Sequence, residues 1–284
     1  MRNYTPIEPI DYLLIGNVTQ DVIPQGFSLG GTASYSSLTA RAMGLRVGVV
    51  TACHPGLQLP ELDGISMVRY PSEYSTTFAN IQTDHGRVQY LYHRAANLDI
   101  SMIPDTWRNA RIVHLGPIAQ EVDVKLARAF PESFVGVTPQ GWMRTWDEHG
   151  RVGYTDWLEA RYVLESANAA VISVEDVRGD ESIVEEMVSA IRVLVVTEGV
   201  TGARLYWNGD MRYFSAPAQE EIDPTGAGDI FAAVFFTRLE YSRDPWEAAR
   251  IATQLAATSV TRKGLASVPT EEEVKANLIE ILEG

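Results

Sequence analysis

Only one of the 284 residues is a cysteine, Cys53. No intrachain disulfide is available, no thiolate cluster exists to hold zinc, and the composition suits a reducing compartment, so a cytoplasmic protein is expected. Basic residues are also scarce, with 23 Lys and Arg against 37 Asp and Glu and a formal charge of −14. Sequence-independent binding to nucleic acid needs clustered positive charge and is therefore excluded. No apolar run approaches the roughly 18 residues of a membrane span, and residues 1–9 carry no apolar signal core, so neither membrane insertion nor export is expected. Two familiar phosphate loops are missing as well: there is no Gly-x-x-x-x-Gly-Lys-Ser/Thr, and no Gly-x-Gly-x-x-Gly follows the first apolar run. A nucleotide, if bound, is held by other devices.

What is present is 45% hydrophobic and 21% charged, ordinary for a soluble enzyme with a large core. Short apolar runs at 12–16 and 47–52 flank a helical pattern at 33–43 and give a β-α-β start. Further runs at 112–115, 133–137, 169–172 and 193–196 alternate with helix-length segments around 122–130, 157–166 and 182–191. This alternation predicts an α/β fold, a three-layer αβα core with a mostly parallel central sheet. Two stretches break the rhythm: 18–29 is a polar link, and 77–83 and 88–92 form a hairpin across Asp84-His85-Gly86-Arg87. The hairpin fits either a small β lid off the body or an edge of the main sheet. After 230 the pattern is helical, over 230–241, 245–261 and 270–282, with Thr270 and Glu273 as a capping box.

The most specific run is Asp223-Pro224-Thr225-Gly226-Ala227-Gly228-Asp229, directly before the first of those helices. With little side chain in the way, the amides of Gly226, Ala227 and Gly228 and the positive end of the helix can hold a phosphate or the charge developing on one. Asp229, inside the helix, can take a proton from an attacking hydroxyl. Together they suggest phosphoryl transfer, whereas Gly-Ala-Gly alone reads equally as a turn and cap. Weaker signals lie elsewhere. Asp21 follows the first apolar run and suits hydroxyl recognition, although a surface-loop aspartate is an equal account. Gly30-Gly31 lets backbone approach a ligand. In 138–144, Gln140 and Arg144 suit hydroxyls or a carboxylate, with Trp142 as an apolar wall. The turn at 261–264 lies near a nucleotide or is a basic helix end.

Leu29-Gly30-Gly31 with its small-residue helix, Ala96-Asn97, Thr197-Glu198-Gly199, the Asp223–Asp229 run and Val260-Thr261-Arg262-Lys263-Gly264 occur in the order and rough spacing of the ribokinase-like (PfkB) carbohydrate kinases. The chain resembles that family over its whole length. The resemblance implies one kinase domain spanning 1–284, with a β lid from about 17–30 and 76–96. It also implies ATP as donor with Mg2+, and a sugar, cyclitol or nucleoside as acceptor. Asp229 would be the general base and Gly226, Ala227 and Gly228 the anion hole; Asp21, Gly31 and Asn97 would lie near the acceptor. Thr197, Gly199, Thr225, Lys263 and Gly264 would lie near the nucleotide, and Asp223 at a K+ loop. Two departures stand out. Where the family has Asn-x-x-Glu this chain has Ser173-Val174-Glu175-Asp176, leaving Asp176 to act on Mg2+ through water. Where ribokinases have an Asn in the first helix it has Tyr35, which reshapes the acceptor pocket. The combination of Gly16-Asn17, Tyr35 and the 138–144 segment with Gln140 and Arg144 is similar to the inositol-kinase-like members. Alternatives are a nucleoside kinase or a non-catalytic binding protein on the same fold. A lid edge would also suit homodimer formation.

Overall fold

The computed structural model describes residues 8–83 and 86–278. From the N-terminal side it runs β1 (Tyr12–Ile15), β2 (Thr19–Ile23), β3 (Gly26–Gly30), helix α1 (Thr32–Ala42), β4 (Val47–Cys53), β5 (Ser66–Pro71), β6 (Thr76–Thr83) and β7 (Gly86–His93). The middle contains β8 (Ile112–Leu115), β9 (Phe134–Val137), β10 (Arg144–Trp146), β11 (Val152–Tyr154), α2 (Ala160–Leu164), β12 (Ala169–Ser173), α3 (Glu181–Ala190) and β13 (Val193–Thr197). The chain continues through β14 (Gly202–Trp207), β15 (Asp210–Ser215), α4 (Ala227–Ser242), α5 (Pro245–Ser259) and α6 (Glu271–Leu278). Expectations for residues 1–7, for Asp84 and His85 of the hairpin turn, and for 279–282 fall outside the described residues.

The main sheet has nine strands in the order β15-β14-β13-β12-β9-β8-β1-β4-β5. β14 and β15 join antiparallel at one edge, and the other neighbours pair in parallel. Burial on both faces explains why the central strands read as unbroken apolar runs. In β1, Tyr12 and Leu14 enter a core shared with α1, α4 and α5. Leu13 and Ile15 enter the opposite core with Trp107, Leu126 and Trp142. Among the described residues no helix is long and apolar enough to cross a membrane.

Two expectations change. The helix-length segment at 122–130 forms only a 3-10 turn, Val124–Arg128. Asp123 caps it by accepting from the Lys125 amide (2.9 Å), and Pro131 disfavours helix at Phe130, so too few residues remain for an α-helix. The supposed link at 18–29 is a hairpin, β2 with β3, completing a second, four-stranded sheet in the order β3-β2-β6-β7. The residue pattern alone misses these strands because Val22, Ile23 and Phe27 are exposed and leave no buried alternation, whereas the family resemblance already assigns 17–30 to a β lid. The sheet docks by one face: Phe78 and Leu91 pack with Ile118 and Ala119 of the main body.

Close packing at the centre is tested at Gly136 of β9, where a Cβ would come within 2.6 Å of the Phe236 ring on α4. Gly136→Ala is expected to lower unfolding free energy by about 1–3 kcal/mol, read as a lower urea midpoint at unchanged m-value; an unchanged midpoint contradicts the packing.

Candidate active site

The site is built where two helices begin. Gly226 caps α4 in the left-handed region (φ 83), and a Cβ there would lie 2.3 Å from the Tyr35 ring. Glycine is thus required both by the backbone conformation and by contact with α1. The Ala227 amide donates back to the Pro224 carbonyl (3.2 Å) and closes the turn. Ala227 is therefore corrected as an anion donor in this conformation. The amides of Gly226 and Gly228 donate to no acceptor among the described residues, and a Cβ on Gly228 would meet nothing within 4 Å. A first-turn amide with no internal acceptor, on a residue whose side-chain position is open, is what an anion site needs.

Asp229 stands in the same turn. Its Oδ1 accepts from the Thr32 hydroxyl at 2.6 Å, and its carbonyl accepts from the Ser36 hydroxyl at 2.9 Å. Thr32 opens α1 immediately after Gly31, itself left-handed at φ 80. The two N-terminal turns are thus stitched together across one carboxylate. Burial pushes the Asp229 carboxyl up to about 6, while the Thr32 hydrogen bond and the charge of Arg144 pull it down and Asp176 pushes it up.

Asp176, Gln140 and Arg144 gather on the far side. Asp176 Oδ1 accepts from the Gln140 amide (2.8 Å) and Oδ2 from the Ser173 backbone amide (2.8 Å). Burial raises its pKa against those two hydrogen bonds and the charge of Arg144. The Arg144 guanidinium donates to the Ile118 carbonyl (3.0 Å) and lies over the Phe78 ring, 5.4 Å from its centroid. Four residues proposed from three segments, Gln140 and Arg144 with Asp176 and Asp229, therefore share one neighbourhood. Trp142 does not join them: it is 6% exposed, is stacked on Trp157 and donates to the Val122 carbonyl. It is no open wall.

The remaining expectations divide. Asp223 accepts from the Thr225 amide (3.0 Å) and from the Gly264 amide (3.1 Å), tying the glycine loop to the turn after α5. Both oxygens thus close the loop, a role not foreseen for a K+ ligand. Lys263 is exposed beside that turn. Thr197 and Gly199 end β13, with Glu198 between them paired to buried Arg204 (2.5 Å). Asp21, after the first apolar run, lies on β2 of the second sheet, within the lid span expected from the resemblance, where its Oδ2 would lie 2.3 Å from a Cβ on Gly30. Tyr35, only 2% exposed, reaches the site through Gly226 rather than as an open wall. Asn97 is exposed and accepts from Arg94; no hydrogen bond among the described residues ties it to Asp229.

Sequence reading missed several polar residues beneath this surface. Thr32 carries no motif beyond following Gly-Gly. Buried Glu121 accepts from the amides of Asn17 (3.2 Å), Ile118 (3.0 Å) and Ala119 (2.7 Å). Asn17, also buried, accepts from the Ala52 amide (2.7 Å). His114 bridges Tyr12 and Thr138 at 2.9 Å each, and burial lowers its pKa to about 3. His114 carries a sequence signal only as a polar letter inside an apolar strand, Asn17 only as part of the Gly16-Asn17 pair, and Thr32 and Glu121 carry none.

Residues 165–272 match the model of the pfkB family carbohydrate kinases. A cytidine kinase from Thermococcus kodakarensis is 24% identical over 275 residues, 87% of this chain and 95% of that protein. An inositol 3-kinase from Zea mays is 31% identical over 134 residues, 47% of this chain and 34% of that protein. A solved pyrophosphate-dependent kinase in the ribokinase family, complexed with a pyrophosphate analog and myo-inositol, agrees in fold. Its TM-score is 0.77 at 18% identity, covering 93% of this chain and 99% of its own.

Because the folded Asp229 pKa of about 6 lies above its ordinary 3.8, ionisation at neutral pH works against folding. The stability it retains in acid is lost as pH rises from near 4 through 6. Asp229→Asn is expected to stabilise the protein by about 1–3 kcal/mol at pH 7.5, with the gain vanishing near pH 4; denaturant unfolding at both pH values checks this, and a loss of stability at pH 7.5 contradicts it.

Proposed function

The chain belongs to the ribokinase-like PfkB family of carbohydrate kinases, and from that premise we propose that it moves the γ-phosphoryl of ATP onto a hydroxyl of a myo-inositol-like cyclitol. The coarser statement, a sugar or nucleoside kinase, needs no proposal. The observation carrying the mechanism is the carboxylate of Asp229, raised to about 6, in the same helical turn as the undirected Gly228 amide.

Asp229 accepts the acceptor's hydroxyl proton at Oδ2, since Oδ1 is engaged by Thr32. A base titrating near 6 is largely ionised at neutral pH yet retains proton affinity. The Gly228 amide and the α4 N-terminus oppose negative charge on the transferring phosphoryl, and Arg144 adds positive charge on the far side. The second sheet acts as a lid, keeping water from the phosphoryl so that an alcohol rather than water accepts it. Mg2+ fits the donor set: Asp176 is a half-buried carboxylate whose hydrogen bonds come from the Gln140 amide and the Ser173 backbone rather than from a cation. No cluster of three or more His, Cys, Asp or Glu stands among the described residues, as suits an ion held mainly by phosphates and water. Asp176 would hold Mg2+, which supplies neutralisation of the donor's phosphate charge. Thr197, Gly199, Thr225, Lys263 and Gly264 line the proposed nucleotide side. With Asp223 committed to closing the loop, no K+ requirement is proposed.

A cyclitol is favoured over a nucleoside because neither Tyr35 nor Trp142 is open to stack on a base. The maize inositol 3-kinase match supports the same choice; the cytidine kinase match, along most of the chain, supports the rival. Val22, Phe27 and Ile81 are exposed on the outer face of the lid and support a homodimer through it, for which light scattering should give twice the monomer mass.

ADP release is the test, with Mg-ATP against myo-inositol, ribose, fructose and cytidine, with and without K+, and with pyrophosphate as a competing donor. Turnover is expected with myo-inositol and ATP. Asp229→Asn should lower kcat by about two to four decades, and wild-type kcat/KM should fall on the acid side of about pH 6. Near wild-type turnover in the variant removes Asp229 from the mechanism, and turnover confined to cytidine replaces the cyclitol with a nucleoside.

A further inference from the structure

One fully buried titratable side chain, His114 on β8, has no part in the mechanism above. Its ring stands edge-on to Phe236 of α4, with centroids 5.0 Å apart. Tyr12 Oη on β1 lies 2.9 Å from its Nδ1, and Thr138 Oγ1 lies 2.9 Å from its Nε2. β1, β8 and β9 are neighbours in the main sheet, so the three side chains form one polar line across it. The line ends at the ligand edge, because Thr138 directly follows β9 and open α/β sheets hold ligands beyond the carboxyl ends of their strands.

The line has a direction. Burial lowers the His114 pKa to about 3, so the imidazole is neutral and only one of its nitrogens carries hydrogen. Burial, and after it the charge of Asp229, push the Tyr12 phenol well above its ordinary range, so Tyr12 keeps its proton. Among the described residues that proton has no acceptor other than Nδ1. Were Nδ1 the protonated nitrogen, the phenol would bury an unused donor in the apolar core formed with Leu14, Phe235 and Phe236. Tyr12 therefore donates to Nδ1, and the ring hydrogen sits on Nε2 and is donated to Thr138 Oγ1. Thr138 is thus an acceptor on its inner side, and its own O–H must point away from the histidine.

That outward direction meets the site. A Cβ on Gly116 would lie 2.6 Å from Thr32 Cγ2 and 3.6 Å from Thr138 Oγ1, so a glycine alone stands between the Thr138 hydroxyl and the residue that holds Asp229. Thr138 precedes the 3-10 turn 139–143 without capping it through its side chain. Among the described residues its hydroxyl bonds to His114 and to nothing else.

We propose that Tyr12 and His114 are positioning residues that hold Thr138 Oγ1 from the inside, so that its O–H is presented to the alcohol oxygen from which Asp229 takes the proton. The inference rests on the kinase reading above. An alcohol oxygen has one hydrogen and two lone pairs. With the hydrogen toward Asp229 Oδ2 and one lone pair toward Thr138, the remaining lone pair is the one left to meet phosphorus. The new O–P bond forms as the P–O bond to the leaving ADP breaks, and the alcohol proton ends on Asp229.

The tautomer is tested without any substrate. Long-range proton–nitrogen correlation spectra of protein labelled with 15N-histidine should show His114 with hydrogen on Nε2 and a bare Nδ1. His114→Gln picks its signals out of the five histidines, and Tyr12→Phe, which moves the same signals, is a second route to them. Hydrogen on Nδ1 overturns the inference, because Thr138 would then donate to the ring. Kinetics with the best acceptor of the panel read the consequence. Thr138→Val should lower kcat about tenfold, the effect of roughly one hydrogen bond, with the KM for ATP held within about twofold, and Thr138→Ser should keep most of the activity. Tyr12→Phe frees the ring to accept from Thr138; it should lower kcat by a similar factor in the wild type and add nothing to Thr138→Val. Unchanged kcat in Thr138→Val, equal losses in Thr138→Ser and Thr138→Val, or additive losses in the double variant overturn the positioning role alone. Absence of wild-type turnover with every acceptor of the panel overturns the kinase reading and the role of Thr138 with it.

Discussion

One hydrogen bond organises the molecule's chemistry, the donation from the Thr32 hydroxyl to the Asp229 carboxylate. It joins the first turns of α1 and α4, whose positive dipole ends converge on the same carboxylate. Ser36 adds a second tie to the Asp229 carbonyl, and Tyr35 from the same helix lies under Gly226. Every neighbouring feature inherits its position from this junction. The glycine loop is shaped against α1, Gly30-Gly31 must bend sharply to deliver Thr32, and Asp21 on β2 is brought beside that bend.

The electrostatics around the junction are lopsided. Asp21, Asp176, Asp223 and Asp229 stand against Arg144, in a chain that is acidic throughout. Beneath them His114 adds no positive charge: burial holds its pKa near 3, and it is committed to Tyr12 and Thr138. Glu121 is compensated by backbone amides rather than by a cation. A highly charged phosphate donor entering such a site needs its charge neutralised from its own side, which is what a divalent cation supplies. On the proposed function the protein would contribute first-turn amides and the raised carboxylate of Asp229, and the bulk of the positive charge would come from the ion.

The sequence made some of this legible and hid the rest for definable reasons. Buried parallel strands announce themselves as unbroken apolar runs, so the layers of the fold could be read. The Asp223–Asp229 run stood out because its small residues leave room for an anion; Gly226 also answers to a backbone constraint, left-handed and against Tyr35, whereas a Cβ on Gly228 meets nothing within 4 Å. The β2–β3 hairpin was illegible in the residue pattern, because one of its faces is exposed and its pairing partner, β6, lies far away in sequence; only the family resemblance put 17–30 in a β lid. Trp142 misled, since an aromatic in a ligand-edge segment reads the same whether it faces a ligand or, as here, another tryptophan. Thr32 and Glu121 went unread because a hydroxyl and a carboxylate outside any motif acquire meaning only from partners distant in sequence, and Asn17 stood out only as part of the Gly16-Asn17 pair, without its partners.

The account turns on the ionisation of one carboxyl group, and that can be observed directly. Carbon-13 NMR of protein labelled at the aspartate carboxyl, with Asp229→Asn to assign the resonance, follows its titration without any assumption about substrate. A midpoint near 6, moving upward in Thr32→Val as the hydroxyl is withdrawn, is the expected result. A midpoint near the ordinary aspartate value of about 4, unmoved by Thr32→Val, would contradict the claim that this junction prepares Asp229 to act as a base.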